Sequence, residues 1–103
     1  MKILLMCANG LSTGMLMNKM NQWKEKNHKD LEVKAIPLDE CKRYYHDYDV
    51  LLVGPQMSYK LKEIQKIAPE KPSAVISPMD YGMGNVENII KMVNGMVAED
   101  KRL

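Results

Sequence analysis

Two runs of four apolar residues, Ile3-Leu4-Leu5-Met6 and Val50-Leu51-Leu52-Val53, have no polar residue on either face. A strand with one wet face would alternate. A fully apolar run of strand length is what a central strand of a parallel sheet needs, because helices cover both its sides. The rest of the chain fits that demand as four β-α repeats. Strand one is expected over Lys2 to Met6. Helix one follows from Ser12 to about Asn27, with Leu16, Met20 and Trp23 as its inner stripe. Strand two, Leu31 to Ile36, alternates apolar and charged residues like an edge strand, and Pro37 ends it. Asp39 is placed to cap a short helix through about Tyr45. After strand three, Gly54-Pro55 breaks the chain, and Ser58 is expected to cap a helix with Leu61, Ile64 and Ile67 inside. Strand four is Ser73 to Ser77, closed by Pro78. Gly84 or Asn85 opens a last helix whose stripe, Val86, Ile89, Ile90, Val93 and Val97, has the cleanest helical period in the chain.

Strands alternating with helices predict an α/β fold: a four-stranded parallel sheet with helices on both faces and right-handed crossovers. The order 2-1-3-4 puts strands one and three at the centre. Ligands bind such sheets beyond the carboxyl ends of those strands. Cys7 stands there, followed by Ala8-Asn9-Gly10-Leu11-Ser12-Thr13-Gly14 and a helix start. The amides of Ala8 to Thr13 and the hydroxyls of Ser12 and Thr13 form an expected anion cradle, to which the helix adds about half a positive charge. The same field favours a thiolate, the nucleophilic form of cysteine. One segment thus supplies a nucleophile and a cradle for a tetrahedral oxyanion.

Composition narrows the partners. A chain of 103 residues suits one domain, residues 1–103, and needs no staple to fold. Its net charge of +2 is spread without a block of like charge, against a nucleic-acid or membrane-surface role. The apolar stretch after Lys2 is too short for a signal peptide, and the two cysteines, Cys7 and Cys41, lack a C-x-x-C spacing, so a reduced cytoplasmic setting is expected. His28 and His46 have no second ligand at metal spacing, and no metal or cofactor is expected. Ten methionines and no phenylalanine read as flexible core filler, with Met57 singled out for a docking surface.

Three functions of similar folds place a site at this position, and the residues depart from each. A tyrosine-phosphatase-like or arsenate-reductase loop is cysteine, five residues, then arginine; Thr13 stands there instead, and the first arginine is Arg43. Without that bidentate guanidinium the loop should hold a phosphoryl group without driving its hydrolysis. A flavodoxin-like flavin site lacks its aromatic sandwich. A response receiver needs aspartates where Cys7 and Gly54 stand.

The chain resembles the enzyme IIB component of the lactose/cellobiose (chitobiose) branch of the bacterial sugar phosphotransferase system. Met6 to Thr13 is close to that family's Cys-small-small-Gly-Met-Ser-Thr loop, with Leu11 for the commoner methionine. Val50 to Tyr59 matches its strand-Gly-Pro-Gln-x-x-Tyr, and Asp80-Tyr81-Gly82 its Tyr-Gly loop. The resemblance implies a flavodoxin-like fold related to low-molecular-weight tyrosine phosphatase. It also implies that Cys7 takes a phosphoryl group from a histidine of enzyme IIA and passes it to a sugar, a β-linked disaccharide, on the membrane enzyme IIC. A small cysteine-dependent phosphatase or arsenate reductase is the alternative. A monomer is expected, since a relay must present one rim to two partners. Gln56, Met57 and Tyr59 beside Cys7, with Asp80 and Tyr81 after strand four, are the expected partner contacts. Cys41 is read as an incidental or structural thiol, and Tyr44, Tyr45 and Tyr48 as packing over the sheet end.

Overall fold

The computed structural model describes residues 1–7 and 10–103, the side chains of residues 10–13 excepted. Its strands are β1 (Lys2–Cys7), β2 (Glu32–Pro37), β3 (Val50–Val53) and β4 (Ser73–Val75). They pair in parallel in the order β2-β1-β3-β4, as the apolar runs predict. Ile3 to Met6 and all of β3 are fully buried, because side chains alternate between two covered faces. Ile3, Leu5, Val50 and Leu52 point to one face. There they meet Leu16 and Met20 of helix α1 (Gly10–Asn27) and the Val86, Ile89, Ile90 and Val93 stripe of helix α5 (Val86–Asn94). Leu4, Met6, Leu51 and Val53 point to the other face. They pack on Cys41 of helix α2 (Cys41–Tyr44) and Ile64 of helix α3 (Leu61–Ile67). Tyr44, Tyr45 and Tyr48 join this second cluster. No helix among the described residues is long and apolar enough to cross a membrane.

Local expectations fail in three places. Neither Asp39 nor Ser58 caps a helix. The chain enters α2 and α3 through tight 3-10 turns, Leu38–Glu40 and Pro55–Lys60, and neither α2 nor α3 has a side-chain cap hydrogen bond. Strand four stops at Val75, two residues short. The segment after it, which includes the Asp80-Tyr81-Gly82 of the expected Tyr-Gly loop, is a helix, α4 (Pro78–Met83). Ser77 Oγ accepts from the Asp80 amide at 3.1 Å, and Pro78 fills the first helical position, where no amide is needed. Gly84, at φ +61°, ends α4 in the left-handed region. Asn85 then caps α5 by accepting from the Asn88 amide.

Asp49 ties the amino end of the sheet together. It accepts from the Lys2 amide at 2.8 Å and from Lys101 Nζ at 3.0 Å. Burial works to raise its carboxyl, but those two donors outweigh it and hold the group below the ordinary aspartate value. A depressed folded value contributes stability that is present above the unfolded value, ~3.9, and is lost as pH falls through the folded one. Asp49→Asn should therefore flatten the acid side of the stability profile below about pH 4. Urea unfolding of both proteins between neutral and acid pH checks this; parallel profiles would refute it.

Candidate functional site

Cys7 is the last residue of β1 and pairs with Pro37 across β2. It is 5% exposed. It borders an open cleft of about 610 Å³ between the β2–α2 connection and α3, with Pro37, Leu38, Asp39 and Lys42 from the former region and Met57, Lys60, Glu63 and Ile67 from the latter. The cleft's charges balance. Lys60 pairs with Glu63 at 3.1 Å, a half-exposed bridge of small energy, and Lys42 faces the same space as Asp39. The cleft itself is therefore no anion basin. The positive end of α1, an 18-residue helix starting at Gly10, is the field nearest Cys7 in the chain. Ala8 and Asn9, and the side chains of Gly10, Leu11, Ser12 and Thr13, lie outside the described residues, so the expected cradle is not described atom by atom.

A second group of residues gathers over Gly54. Met6 pairs with Val53, so the next step in the register sets Gly54 beside Cys7, and the Gly54 amide donates to the Met6 carbonyl at 3.1 Å. A Cβ on Gly54 would stand 2.9 Å from Gln56 Oε1 and 3.6 and 3.8 Å from Cε2 and Cζ of Tyr81. A methyl there would displace only the mobile end of the Gln56 side chain and would rest in ordinary contact with the Tyr81 ring. Tyr81 is half-buried and packs against the α1/α5 side of the core.

The expected partner contacts thus divide. Met57 shares the cleft with Cys7, but at 8% exposed it belongs to the core rather than to an outer docking face. Gln56 and Tyr81 converge over Gly54. Tyr59, 73% exposed, lies outside the cleft lining, with Lys60 Nζ 5.7 Å from its ring centre. The Asp80 carboxylate accepts from Asn88 Nδ2 at 3.1 Å, which braces α4 against α5. Asp39, Lys42 and Lys60 line the cleft without any motif to announce them. Among the methionines, Met15, Met79 and Met83 face outward, which a filler reading does not predict. Cys41 is fully buried, and burial pushes its thiol up, away from the reactive form.

A doubly wound parallel sheet with a buried cysteine at the exit of a central strand defines an α/β protein with a thiol at the switch point of its sheet. Residues 2–92 match the family model of the phosphotransferase (PTS) system, lactose/cellobiose-specific IIB subunit, and the chain belongs to that family. It is 37% identical to the oligo-β-mannoside-specific EIIB component of Bacillus subtilis (strain 168), over 82% of this chain and 84% of that one. It is 31% identical to the galactose-specific EIIB component of Lactococcus lactis subsp. cremoris (strain MG1363), over 92% and 94%. In fold it is similar to the lactose-specific IIB component domain of Streptococcus pneumoniae, at TM-score 0.82 with 16% identity over 95% and 98% of the two chains. The cellobiose-specific IIB component of Borrelia burgdorferi gives 0.77, with 28% identity over 93% and 91%. The chain's role is in sugar phosphoryl transfer, and the phosphatase or arsenate-reductase alternative is set aside.

Proposed function

We propose that Cys7 is the phosphoryl carrier, taking its group from a phosphohistidine of enzyme IIA and giving it to a sugar held by membrane enzyme IIC. The single observation that carries this is the place of Cys7, at the exit of β1 with the α1 amino terminus close behind and an open cleft at its side. In loading, the thiolate sulfur attacks phosphorus. The S–P bond forms, the N–P bond breaks, and the imidazole nitrogen leaves with the electron pair. In unloading, a sugar hydroxyl oxygen attacks, the S–P bond breaks, the thiolate is restored and the hydroxyl proton passes to a base. The phosphoryl dianion on sulfur needs several donors, which the amides of Ala8 to Thr13 and the hydroxyls of Ser12 and Thr13 supply. Residues 1–103 act as one cytoplasmic domain, as a monomer, with no cofactor. The sugar class is a β-linked disaccharide.

Incubation with phosphorylated enzyme IIA should add about 80 Da, one phosphoryl group, to the intact mass. Adding IIC membranes and the sugar should then remove it. A chain that takes no adduct from any IIA of the lactose/cellobiose type would overturn the reading.

A further inference from the structure

We propose that the Tyr81 hydroxyl is a phosphoryl-binding donor of the Cys7 site, hydrogen-bonding a non-bridging oxygen of the group while it sits on sulfur. This rests on the reading of Cys7 as the phosphoryl acceptor. The argument starts from register. In a parallel pair, residues side by side point to the same face. Leu5 and Leu52 both enter the α1/α5 side of the core, while Met6 and Val53 both enter the other. One step further, Cys7 and the Cβ direction of Gly54 return to the α1/α5 side. That direction is the one Tyr81 occupies, with Cζ, the carbon bearing the hydroxyl, among the atoms nearest the missing methyl. The carbon bearing the hydroxyl therefore lies against Gly54, at the exit of the strand next to that of Cys7.

Tyr81 also borders a second cavity of about 170 Å³ with Met15, Leu16 and Lys19 of α1. It thus stands between the exit of β3 and the first turns of the helix that follows the nucleophile. Its position is held from three sides. Ser77 caps α4, Asp80 is braced by Asn88, and Lys19 Nζ donates to the Met83 carbonyl at 3.4 Å. A ring so fixed can present a hydroxyl without the entropy cost of ordering it at each turnover. No proton moves from Tyr81; its O–H donates to charge that the transferring group already carries.

Tyr81→Phe keeps the ring over Gly54 and removes only the donor. Loading from phosphorylated enzyme IIA should slow about tenfold, less than the hundredfold or more that a lost oxyanion-hole donor costs, because the loop amides still hold the group. In ³¹P spectra of the loaded protein, the midpoint of the phosphoryl titration should rise by about half a pH unit, because a donor favours the dianion. Equal loading and equal midpoints in wild type and Tyr81→Phe would overturn this proposal alone. Slower loading with an unmoved midpoint would overturn it too, assigning Tyr81 to packing. A wild type that takes no adduct would overturn the Cys7 reading along with it.

Discussion

Cys7→Ser should take no phosphoryl group from enzyme IIA, while Cys41→Ala should load as the wild type does. A serine hydroxyl at neutral pH is not ionised, and the loop offers no histidine or carboxylate to take its proton, whereas a thiol at this position needs only the local field. The exchange of sulfur for oxygen at a strand end keeps the shape of the side chain, so lost loading would report chemistry rather than unfolding. Cys41 has the same atom and the opposite surroundings. It is sealed in the cluster with Leu4, Met6 and Ile64, and burial holds its thiol in the neutral form. Alanine is the better control there, since a serine hydroxyl in that cluster without a partner would cost about 1–3 kcal/mol. Intact mass after loading decides the matter: an adduct of about 80 Da retained in Cys7→Ser would place the phosphoryl group elsewhere.

The loaded protein should survive in buffer long enough to isolate, and small aryl phosphates should turn over very slowly or not at all. Hydrolysis on a cysteine loop draws on an arginine that follows the charge building on the equatorial oxygens. Here Thr13 holds that place in the sequence, and the chain's two arginines are engaged elsewhere. Arg102 Nε donates to the Asn94 carbonyl at 2.8 Å, and the Arg43 guanidinium lies 5.4 Å from the Tyr44 ring centre. One missing donor of this kind is worth roughly 3 kcal/mol, two orders of magnitude or more in rate. Of the cleft carboxylates, Glu63 is held by Lys60. Release of inorganic phosphate from the isolated adduct, and from an aryl phosphate with and without Cys7, measures both halves. Brisk release that depends on Cys7 would contradict the argument.

The features that depend on local pattern were legible in the chain itself. The unbroken apolar runs of β1 and β3 can be satisfied only between two covered faces, so they marked the centre of the sheet and with it the strand order. The position of Cys7 followed, since it is the first residue beyond the β1 run. The α5 stripe was equally plain, because a 3.6-residue period is a property of the sequence alone. The helix after Ser77 was also within reach: a capping serine, a proline at the first helical position and an acidic residue two beyond it are local signals of a helix start, where the resemblance suggested a loop.

What tertiary structure decided was every feature that depends on residues distant in sequence. Asp39 and Ser58 have capping side chains but cap nothing, because the chain tightens into 3-10 turns before α2 and α3 and settles its amides along a different path. Met57 looked like a surface methionine after Gly-Pro-Gln. The turn folds it back under β3, where Val53 and Ile64 bury it, while Met15, Met79 and Met83 are left outside. Cys41 sits in a polar stretch of sequence, yet it faces the sheet, so only packing shows that its thiol is inert. The neighbour of Gly54 is a ring 27 positions further along the chain. Periodicity reports which side of an element is apolar; it carries no record of which distant side chain will fill the space above a given Cα, and here that distant contact sets Tyr81 against Gly54.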